Sequence, residues 1–375
     1  MILNNLRTAL QETPVNIRVA GNRIAEVSVR PFHLKPDALN IDLENAIVFP
    51  GLINSHDHLD FNLFPALGDK TYRDYTEWGQ YIHQNYRKEI AQVLRIPTHL
   101  REDWGIYKNL LCGVTTVVNH GKKVQTANKH ITVYEDCQSI HSVRFEKKWK
   151  LSLNNPLKRK VAAAIHTGEG TVASSTKEID TLSNWNLLKR PMIGIHGVAM
   201  TGQQAKAFKA LIWCPESNYF LLNRTAKIDE LKTHTPILFG TDSTLTGSWN
   251  IWEHIRLARK TGYLTDQELV DSLTINPAHT WNLSCGELSP YKNADIVVAK
   301  AGDFFSIGPE DIMLVIKNGE VRLFDEGLLS QMVHINPNNY SKVCIKGVAK
   351  YVYGQLPELM GDIKSYYPQA GFPLT

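Results

Sequence analysis

Hydrophobic and polar residues alternate near both ends of the chain. Residues 15–29 alternate on either side of a Gly-Asn pair, and residues 311–324 do so on either side of an Asn-Gly pair. Alternation around such a pair predicts a β-hairpin. Because the two hairpins enclose a middle with a different pattern, we predict one small β-domain assembled from both ends of the chain.

The middle of the chain consists of short apolar runs that end in a polar residue and alternate with helical stretches. Near-continuous apolar strands separated by helices are typical of a buried parallel sheet. Eight such strands can close into a barrel. The predicted strands are residues 51–54, 113–119, 138–143, 149–154, 161–166, 192–196, 211–214 and 236–242. The predicted helices include 203–210, 227–232 and one that a capping box, Thr265 to Glu268, begins.

These patterns predict an α/β fold, a (β/α)8 TIM-like barrel with a small β-sandwich domain built from both chain ends. The barrel is expected over residues 50–285, and the β-sandwich over residues 1–49 together with 286–345. Residues 346–375 are predicted to form a C-terminal helical extension that covers the barrel or an interface.

Composition narrows the possible partners. The 375 residues include 41 Lys and Arg against 37 Asp and Glu, a net charge of +4, and the basic residues are scattered along the chain. Nucleic acid is therefore not an expected partner. No unbroken apolar run is long enough to span a membrane, and no signal peptide is recognisable, so we expect neither membrane insertion nor export. The five cysteines form no Cys-x-x-Cys pair, which favours reduced thiols in the cytoplasm.

Five side chains that can bind a metal fall at the ends of predicted strands. They are His56, His58, His166, His196 and Asp242. In a (β/α)8 barrel the carboxyl ends of the strands carry the reactive groups, so these residues would converge. Each histidine alone could equally be structural, but five such groups at one barrel mouth favour a site. Imidazoles with one carboxylate suit a borderline metal such as Zn²⁺ or Fe²⁺.

At these positions the sequence resembles the amidohydrolase superfamily, in particular its deaminase and chlorohydrolase branch, which includes S-adenosylhomocysteine, guanine and cytosine deaminases. The resemblance extends from about residue 15 to residue 325. Members have a barrel flanked by a β-sandwich from both chain ends, which agrees with the two hairpins. The motifs that carry it are Pro50 to His58, Gly113 to Val117, His166 to Glu169, Ile195 to Val198, Cys214 to Asn218, Phe239 to Ser243, Asn276 to Ala278 and Gly286 to Asp295.

The resemblance implies a role for each site residue. One divalent metal, zinc first and iron as the alternative, would be held by His56, His58, His166 and Asp242. Asp242 would also be the general base, His196 would contact the substrate or the attacking water, and Glu169 would move protons to and from the substrate nitrogen. These roles predict an aminohydrolase that deaminates a nitrogen heterocycle or related amidine with water activated by the metal.

Substrate contacts are predicted less directly. His120, at the end of the second strand, could face a small-molecule substrate or be a structural histidine. The aromatic residues of segment 71–81 could stack on a planar heterocycle or pack against the barrel. Cys214 is expected to be a small buried apolar residue.

Two departures from the family pattern leave alternatives open. The stretch between His58 and His166 is short, and Gly168-Glu169-Gly170 replaces the usual small residue, Glu and Thr. A second hypothesis is hydrolysis of a cyclic amide, of the imidazolonepropionase or dihydroorotase kind. Its binuclear form needs a bridging lysine, for which Lys147, Lys148 and Lys150 are the candidates. A third is a non-catalytic scaffold, and a homo-oligomer remains open in all three.

Overall fold

The structure, a computed structural model, describes residues 1–11, 13–34 and 38–375. The β-strands are β1 (Ile2–Thr8), β2 (Pro14–Ala20), β3 (Arg23–Ser28), β4 (Asn40–Asp42), β5 (Ile47–Pro50), β6 (Leu52–Asp57), β7 (Val114–Asn119), β8 (Thr132–Tyr134), β9 (Gln138–Ser142), β10 (Ala163–Thr167), β11 (Met192–His196), β12 (Ala210–Trp213), β13 (Ile237–Phe239), β14 (Ile296–Ala299), β15 (Ile312–Lys317), β16 (Glu320–Asp325), β17 (Tyr340–Ile345) and β18 (Val348–Tyr353). The α-helices are α1 (Tyr75–Asn85), α2 (Arg87–Leu94), α3 (Thr98–Leu111), α4 (Trp149–Leu153), α5 (Ala173–Trp185), α6 (Gly202–Ala205), α7 (Pro215–Leu222), α8 (Ile228–Leu231), α9 (Ile251–Thr261), α10 (Asp266–Leu273), α11 (Ile275–Trp281) and α12 (Leu356–Tyr366). Single 3₁₀ turns lie at Leu59–Phe61, Pro156–Lys158, Phe304–Ser306, Pro309–Asp311, Glu326–Gln331 and Pro337–Asn339.

Strands from both ends of the chain form one ten-stranded sheet. Its order is β17-β18-β16-β15-β14-β5-β1-β2-β3, with β4 beside β1. Both predicted hairpins are confirmed as the antiparallel pairs β2–β3 and β15–β16. Alternate residues of β14 pack in different cores, since Ile296 and Val298 contact apolar residues of this sheet while Val297 and Ala299 contact the middle of the chain. The sheet is therefore covered on both faces along this strand.

Eight parallel strands make up two further sheets. One has the order β6-β7-β8, and the other β13-β12-β11-β10-β9. A parallel bridge between Asp57 and Asp242 connects the end of β6 to the residues after β13. Residues 135–137 link β8 to β9 without a helix, and no strand pairing joins those two strands in the described part of the chain. The molecule is thus an α/β protein with eight parallel strands in its middle.

The third and fourth strands differ from the prediction. The predicted strand 149–154 is helix α4, and β8, which the sequence pattern did not indicate, is the third parallel strand. Trp149, Leu151 and Leu153 alternate with polar residues, as in a strand, but only the first and last of the three are buried, whereas Leu151 is 73% exposed. Positions four residues apart share one face of a helix, which explains this burial.

The predicted helix 203–210 is reduced to the short α6, while α8 and the capping box of α10 are confirmed.

The predicted C-terminal helix begins later than expected. Residues 340–353 form the antiparallel hairpin β17–β18 at the edge of the large sheet, and α12 follows. Lys346 and Gly347, with φ of 46° and 83°, form the turn, since two consecutive positive φ angles suit a two-residue hairpin. Helix α12 then packs against α3.

The domain boundaries stay a prediction. Within the described ranges, no helix is both long and apolar enough to cross a membrane.

The α4 assignment predicts unequal effects of two neighbouring leucines on stability. Leu153→Ala should lower the free energy of unfolding by about 2–5 kcal/mol, because it opens a cavity at a fully buried position. Leu151→Ala should change it by less than about 0.5 kcal/mol. Urea unfolding of both variants measures this, and equal losses would favour a strand at 149–154.

Candidate metal and active site

Histidines from four strands converge at the carboxyl ends of the parallel strands. His56 lies on β6, His166 on β10 and His196 on β11, while His120 follows β7. Their ring nitrogens, together with carboxylate oxygens of Asp242 and Glu169, form three overlapping groups of possible metal ligands. Within each group the ligand atoms lie within 4.8 Å of one another. The groups are His56 with His120 and His166, His56 with His196 and Asp242, and His166 with Glu169 and His196.

The two oxygens of Asp242 have different surroundings. Oδ1 lies 3.6 Å from Nε2 of His56 and 3.6 Å from Nε2 of His58. Oδ2 accepts hydrogen bonds from the hydroxyls of Ser217, at 2.7 Å, and Thr246, at 3.0 Å. One oxygen is therefore held by hydroxyl groups, and the other faces the imidazoles. The structure thus brings together all five residues that the sequence placed at strand ends.

The chemistry of these side chains fits a divalent metal. The Nε2 atoms of His56, His120, His166 and His196 are buried without a hydrogen-bond partner among the described residues. Burial lowers the pKa of His58 to about 4 and that of His196 to about 3, and it also holds the pKa of His120 and of His166 well below the usual value. Buried ring nitrogens without a partner are costly unless something binds them, and those of His56, His120 and His166 are the kind of donor that zinc and iron prefer.

Asp242 remains a carboxylate in this environment. Burial by itself would raise its pKa, but the neighbouring imidazoles of His56, His58 and His196 hold the pKa well below its usual range. A deprotonated carboxylate next to neutral imidazoles completes a donor set for a borderline metal.

Two of the site residues occupy strained backbone conformations. His196 has φ of 71° and Asp242 has φ of 62°, in the left-handed region that residues with a side chain rarely adopt. Next to Asp242, a Cβ on Gly240 would lie 2.8 Å from the Cβ of His56, so the two strand ends pack too closely for any larger residue. Such conformations cost about 1–3 kcal/mol each and are characteristic of functional sites.

A chain of hydrogen bonds fixes the protonation of His196. The indole Nε1 of Trp213 can only donate, and it donates to the hydroxyl of Thr225 at 2.6 Å. Thr225 in turn donates to Oδ1 of Asn218 at 3.2 Å, so the amide nitrogen of Asn218 faces Nδ1 of His196 at 2.9 Å. Since Nδ1 accepts this bond, the ring proton of His196 lies on Nε2, inside the site. His196 is therefore arranged to donate a hydrogen bond there.

Glu169 is a buried acid beside His196. Its Oε2 lies 3.6 Å from Nε2 of His196, and its side chain is almost fully buried. Burial, with the nearby charges of Asp242 and Glu178, raises the pKa of Glu169 well above its usual value. The carboxyl group therefore holds a proton more readily than that of an ordinary glutamate.

The loop that carries Glu169 is bound to the start of α1. Gly170 forms an antiparallel bridge with Asp74, and the backbone N–H of Tyr75 donates to the carbonyl of Glu169 at 3.1 Å. A Cβ on Gly170 would lie 2.7 Å from the Cβ of Asp74 and 2.3 Å from Oγ of Ser175. This close approach explains why a glycine stands where the family pattern has threonine.

Asp57, between the two histidines of the His-x-His motif, points away from them into a buried polar network. Its carboxylate accepts hydrogen bonds from Lys108 at 3.0 Å, Asn109 at 2.8 Å and Asn62 at 2.7 Å. Lys108 and Asp57 are both buried, so each charge depends on the other. Nothing in the sequence spacing of α3 singled out Lys108.

Four histidines, His58, His141, His166 and His196, line a small cup of about 90 Å³. Tyr75 and Trp78, from the aromatic segment 71–81, line it, as do Phe61 and Phe145. His120 is not among the residues that line the cup and lies with the histidine nitrogens beneath it. Cys214 is fully buried, as expected of a small apolar residue, and burial raises the pKa of its thiol well above the usual value.

His141 is a site residue that the sequence reasoning missed. It lies near the end of β9 and lines the cup, with its ring centroid 5.3 Å from that of His166. The predicted strand 138–143 already contained it as a polar residue near the strand end. The rule that selected the other histidines could therefore have selected it as well.

Comparison with known proteins agrees with this geometry. The family model described as "Amidohydrolase family" matches residues 47–347. The chain is 22% identical to the 5-methylthioadenosine/S-adenosylhomocysteine deaminase of Caldicellulosiruptor saccharolyticus, over 84% of this chain and 90% of that protein. Its structure is similar to that of guanine deaminase from C. acetobutylicum with bound guanine, with a TM-score of 0.65 and 13% identity. The match covers 85% of this chain and 99% of that chain. It is also similar to the structure of an adenosine deaminase from Xanthomonas campestris with bound zinc, with a TM-score of 0.60 and 14% identity. That match covers 98% of this chain and 99% of that chain.

The fold and the site define a hydrolase that acts on C–N bonds, with a His/Asp group that can bind a metal. The chain belongs to the amidohydrolase family. The structural neighbours indicate an α/β fold of the TIM-barrel type.

Loss of Lys108 should destabilise the protein and its site together. Lys108→Met leaves Asp57 as an unpaired buried charge, which should lower the free energy of unfolding by about 3–5 kcal/mol. Because Asp57 lies between His56 and His58, zinc affinity should fall as well. Urea unfolding and zinc titration test this. Lys177→Met, at an exposed position of α5, is the control and should change neither quantity.

Proposed function

We propose that the protein is a metal-dependent aminohydrolase that deaminates a nitrogen heterocycle or a related amidine. The observation that carries the proposal is the buried carboxyl group of Glu169, whose Oε2 lies 3.6 Å from Nε2 of His196 in the histidine cluster. Adding water to a C=N bond places charge on nitrogen, so the reaction needs an acid at that nitrogen. The deaminase from Caldicellulosiruptor saccharolyticus, similar over most of its length, supports the same reaction class.

In this proposal, His56, His58, His166 and Asp242 hold one divalent metal ion. Zinc is the first choice, because a similar structure contains bound zinc, and iron is the alternative with the same ligand preference. When bound with an open position, such a metal would lower the pKa of water to about 7 and so make hydroxide available at neutral pH.

The protein side chains would then perform the proton transfers. Asp242, a carboxylate even in this buried site, would accept the first proton through the oxygen that faces the imidazoles. Glu169 would donate its proton to the ring nitrogen and later assist the departure of ammonia. His196, with its proton on Nε2, would donate a hydrogen bond to the oxygen that is adding to the ring, which stabilises developing charge.

The proposal includes closure of the eight parallel strands into one (β/α)8 barrel, with the large sheet as a β-sandwich beside it. The bridge between Asp57 and Asp242 supports contact between the first and last strands. The proposed substrate is a small molecule. The proposed location is the cytoplasm, which the five unpaired cysteines support. A homo-oligomer is compatible with this proposal.

The cyclic-amide alternative finds less support in the side chains. Its binuclear form needs a lysine that reaches the metals, but Lys147, Lys148 and Lys150 are all exposed, and Lys150 lies over the ring of Trp185. At the corresponding end of β9 the cup contains His141 instead. A non-catalytic scaffold would leave several buried ring nitrogens and a buried acid with no role, at an energetic cost.

An ammonia-release screen tests the reaction class. The zinc-loaded protein should release ammonia from at least one member of a panel of purines, pyrimidines, triazines and pterins. Opening of lactams without any ammonia release would instead favour the cyclic-amide hypothesis.

On the substrate that the screen identifies, Glu169→Gln should lower kcat by 10² to 10⁴, the usual contribution of general acid–base catalysis. The substitution keeps the shape and all four proposed ligands, so metal content should stay at one ion per chain. Glu216→Gln, which changes a partly buried glutamate outside the cup, is the control and should keep kcat within a few fold. A loss below about tenfold in Glu169→Gln would remove it from the mechanism.

Metal content separates the proposed ligand set from the competing set that contains His120. His56→Ala and His58→Ala should each remove most of the bound zinc, because each deletes one of four ligands. His120→Ala should retain it. Elemental analysis after dialysis provides the measurement, and zinc that is lost from His120→Ala but kept by His58→Ala would replace the proposed set with His56, His120 and His166.

A further inference from the structure

A large apolar cavity of about 730 Å³ lies beside the small catalytic cup. Helices α1 and α2 form one side, through Trp78, Ile82, Ile90 and Leu94. The rest of its apolar lining comes from Phe61, Phe64, Phe145 and Leu245. None of the roles assigned above requires a space of this size.

The cavity and the cup share a wall. Five residues line both of them, namely Phe61, Trp78, His141, Phe145 and Leu245. The cup itself measures about 90 Å³ and contains Glu169, His166 and Asp242, whereas the cavity contains none of these groups. A substituent on a ring that lies in the cup would therefore reach the cavity past these shared side chains.

The lining defines the chemistry that the cavity accepts. Apart from His141, which also lines the cup, its polar side chains are the exposed Gln80, His83, Gln84 and Arg87. Arg87 is the only permanently charged residue among the described residues that line it. Leu94 and Phe145 are 51% and 45% exposed, so apolar surface remains in contact with water at this place. Covering such surface with an apolar group is favourable.

Gly79 leaves room for the ring of Phe145, which lies between the cup and the cavity. It lies inside α1, where glycine costs roughly 0.5–1 kcal/mol relative to alanine. A Cβ at this position would lie 3.2 Å from Cζ of Phe145. The helix thus allows close approach of Phe145, whose ring lines the cup on one side and the cavity on the other.

We propose that this cavity is a substrate subsite, and that the substrate is a nitrogen heterocycle with an apolar alkyl or aryl substituent on the side of the ring opposite the leaving amine. This inference rests on the proposed deaminase function and adds to it the class of substituent. The ring would occupy the cup, and the substituent would cover the apolar walls of α1 and α2.

Binding of rings that lack the leaving amine tests the subsite without turnover. Pyrimidin-2-one with hydrogen, n-butyl or benzyl at N1, and purine with the same groups at N9, would be titrated into the zinc-loaded protein by calorimetry. Each methylene that becomes buried should lower Kd about fourfold, so n-butyl should lower it at least tenfold in one ring system. Equal Kd values within both series would overturn the proposal.

A double variant locates the effect. Ile90→Asn with Leu94→Asn places amides in the cavity wall, at positions that do not line the cup. It should abolish the gain from n-butyl and benzyl while leaving the Kd of the unsubstituted ring unchanged. Ala91→Asn, at an exposed position on the same helix, is the control and should retain the gain. If the double variant keeps the gain, the substituent binds elsewhere and the subsite is wrong.

Ammonia release separates this inference from the proposed function. Cytosine and adenine would be compared with their N1-butyl and N9-butyl derivatives. Release without any preference for the butyl compounds, together with equal Kd values, would leave the deaminase function intact and overturn the subsite. Tighter binding of the butyl compounds that the double variant abolishes, with no release from these or any other ring of the panel, would support the subsite and contradict deamination.

Discussion

The buried ion pair between Asp57 and Lys108 is the interaction on which the geometry of the site depends. Asp57 lies between His56 and His58, so whatever holds its carboxylate also sets the direction of both imidazoles. Lys108 and Asn109 hold it from α3, and Asn62 holds it from the loop after β6. A buried charge of this kind is stabilising only when it is fully paired, which leaves the end of β6 little freedom.

The same network extends to the other end of the parallel strands. Asn54 donates to Thr241 at 2.8 Å, and Thr241 precedes Asp242, whose strained backbone places its carboxylate opposite the histidines. The ends of β6 and β13 are therefore fixed to each other behind the histidine cluster. Pre-organisation of this kind keeps several like donors close together, although their lone pairs repel one another before a cation is bound.

The sequence predicted those parts of the structure that local pattern determines. Hairpins around Asn-Gly and Gly-Asn pairs, and polar residues at the ends of apolar strands, follow from short-range geometry, and both were found. The region between β7 and β10 was harder to predict, because Trp149, Leu151 and Leu153 satisfy strand alternation and helical i, i+4 spacing equally well, and tertiary burial decides between them. Lys108 could not have been identified, since a lysine inside a helix is ordinarily exposed, and only the packing of α3 against β6 buries it.

The bridge between Gly170 and Asp74 links two functions that are separate in the sequence. Helix α1 forms a wall of the apolar cavity, and its first residues are hydrogen-bonded to the loop that carries Glu169. The same pair of backbone segments therefore fixes both the start of α1 and the loop that positions the Glu169 carboxyl group. A substitution that separates these segments would disturb the cavity wall and the cup together.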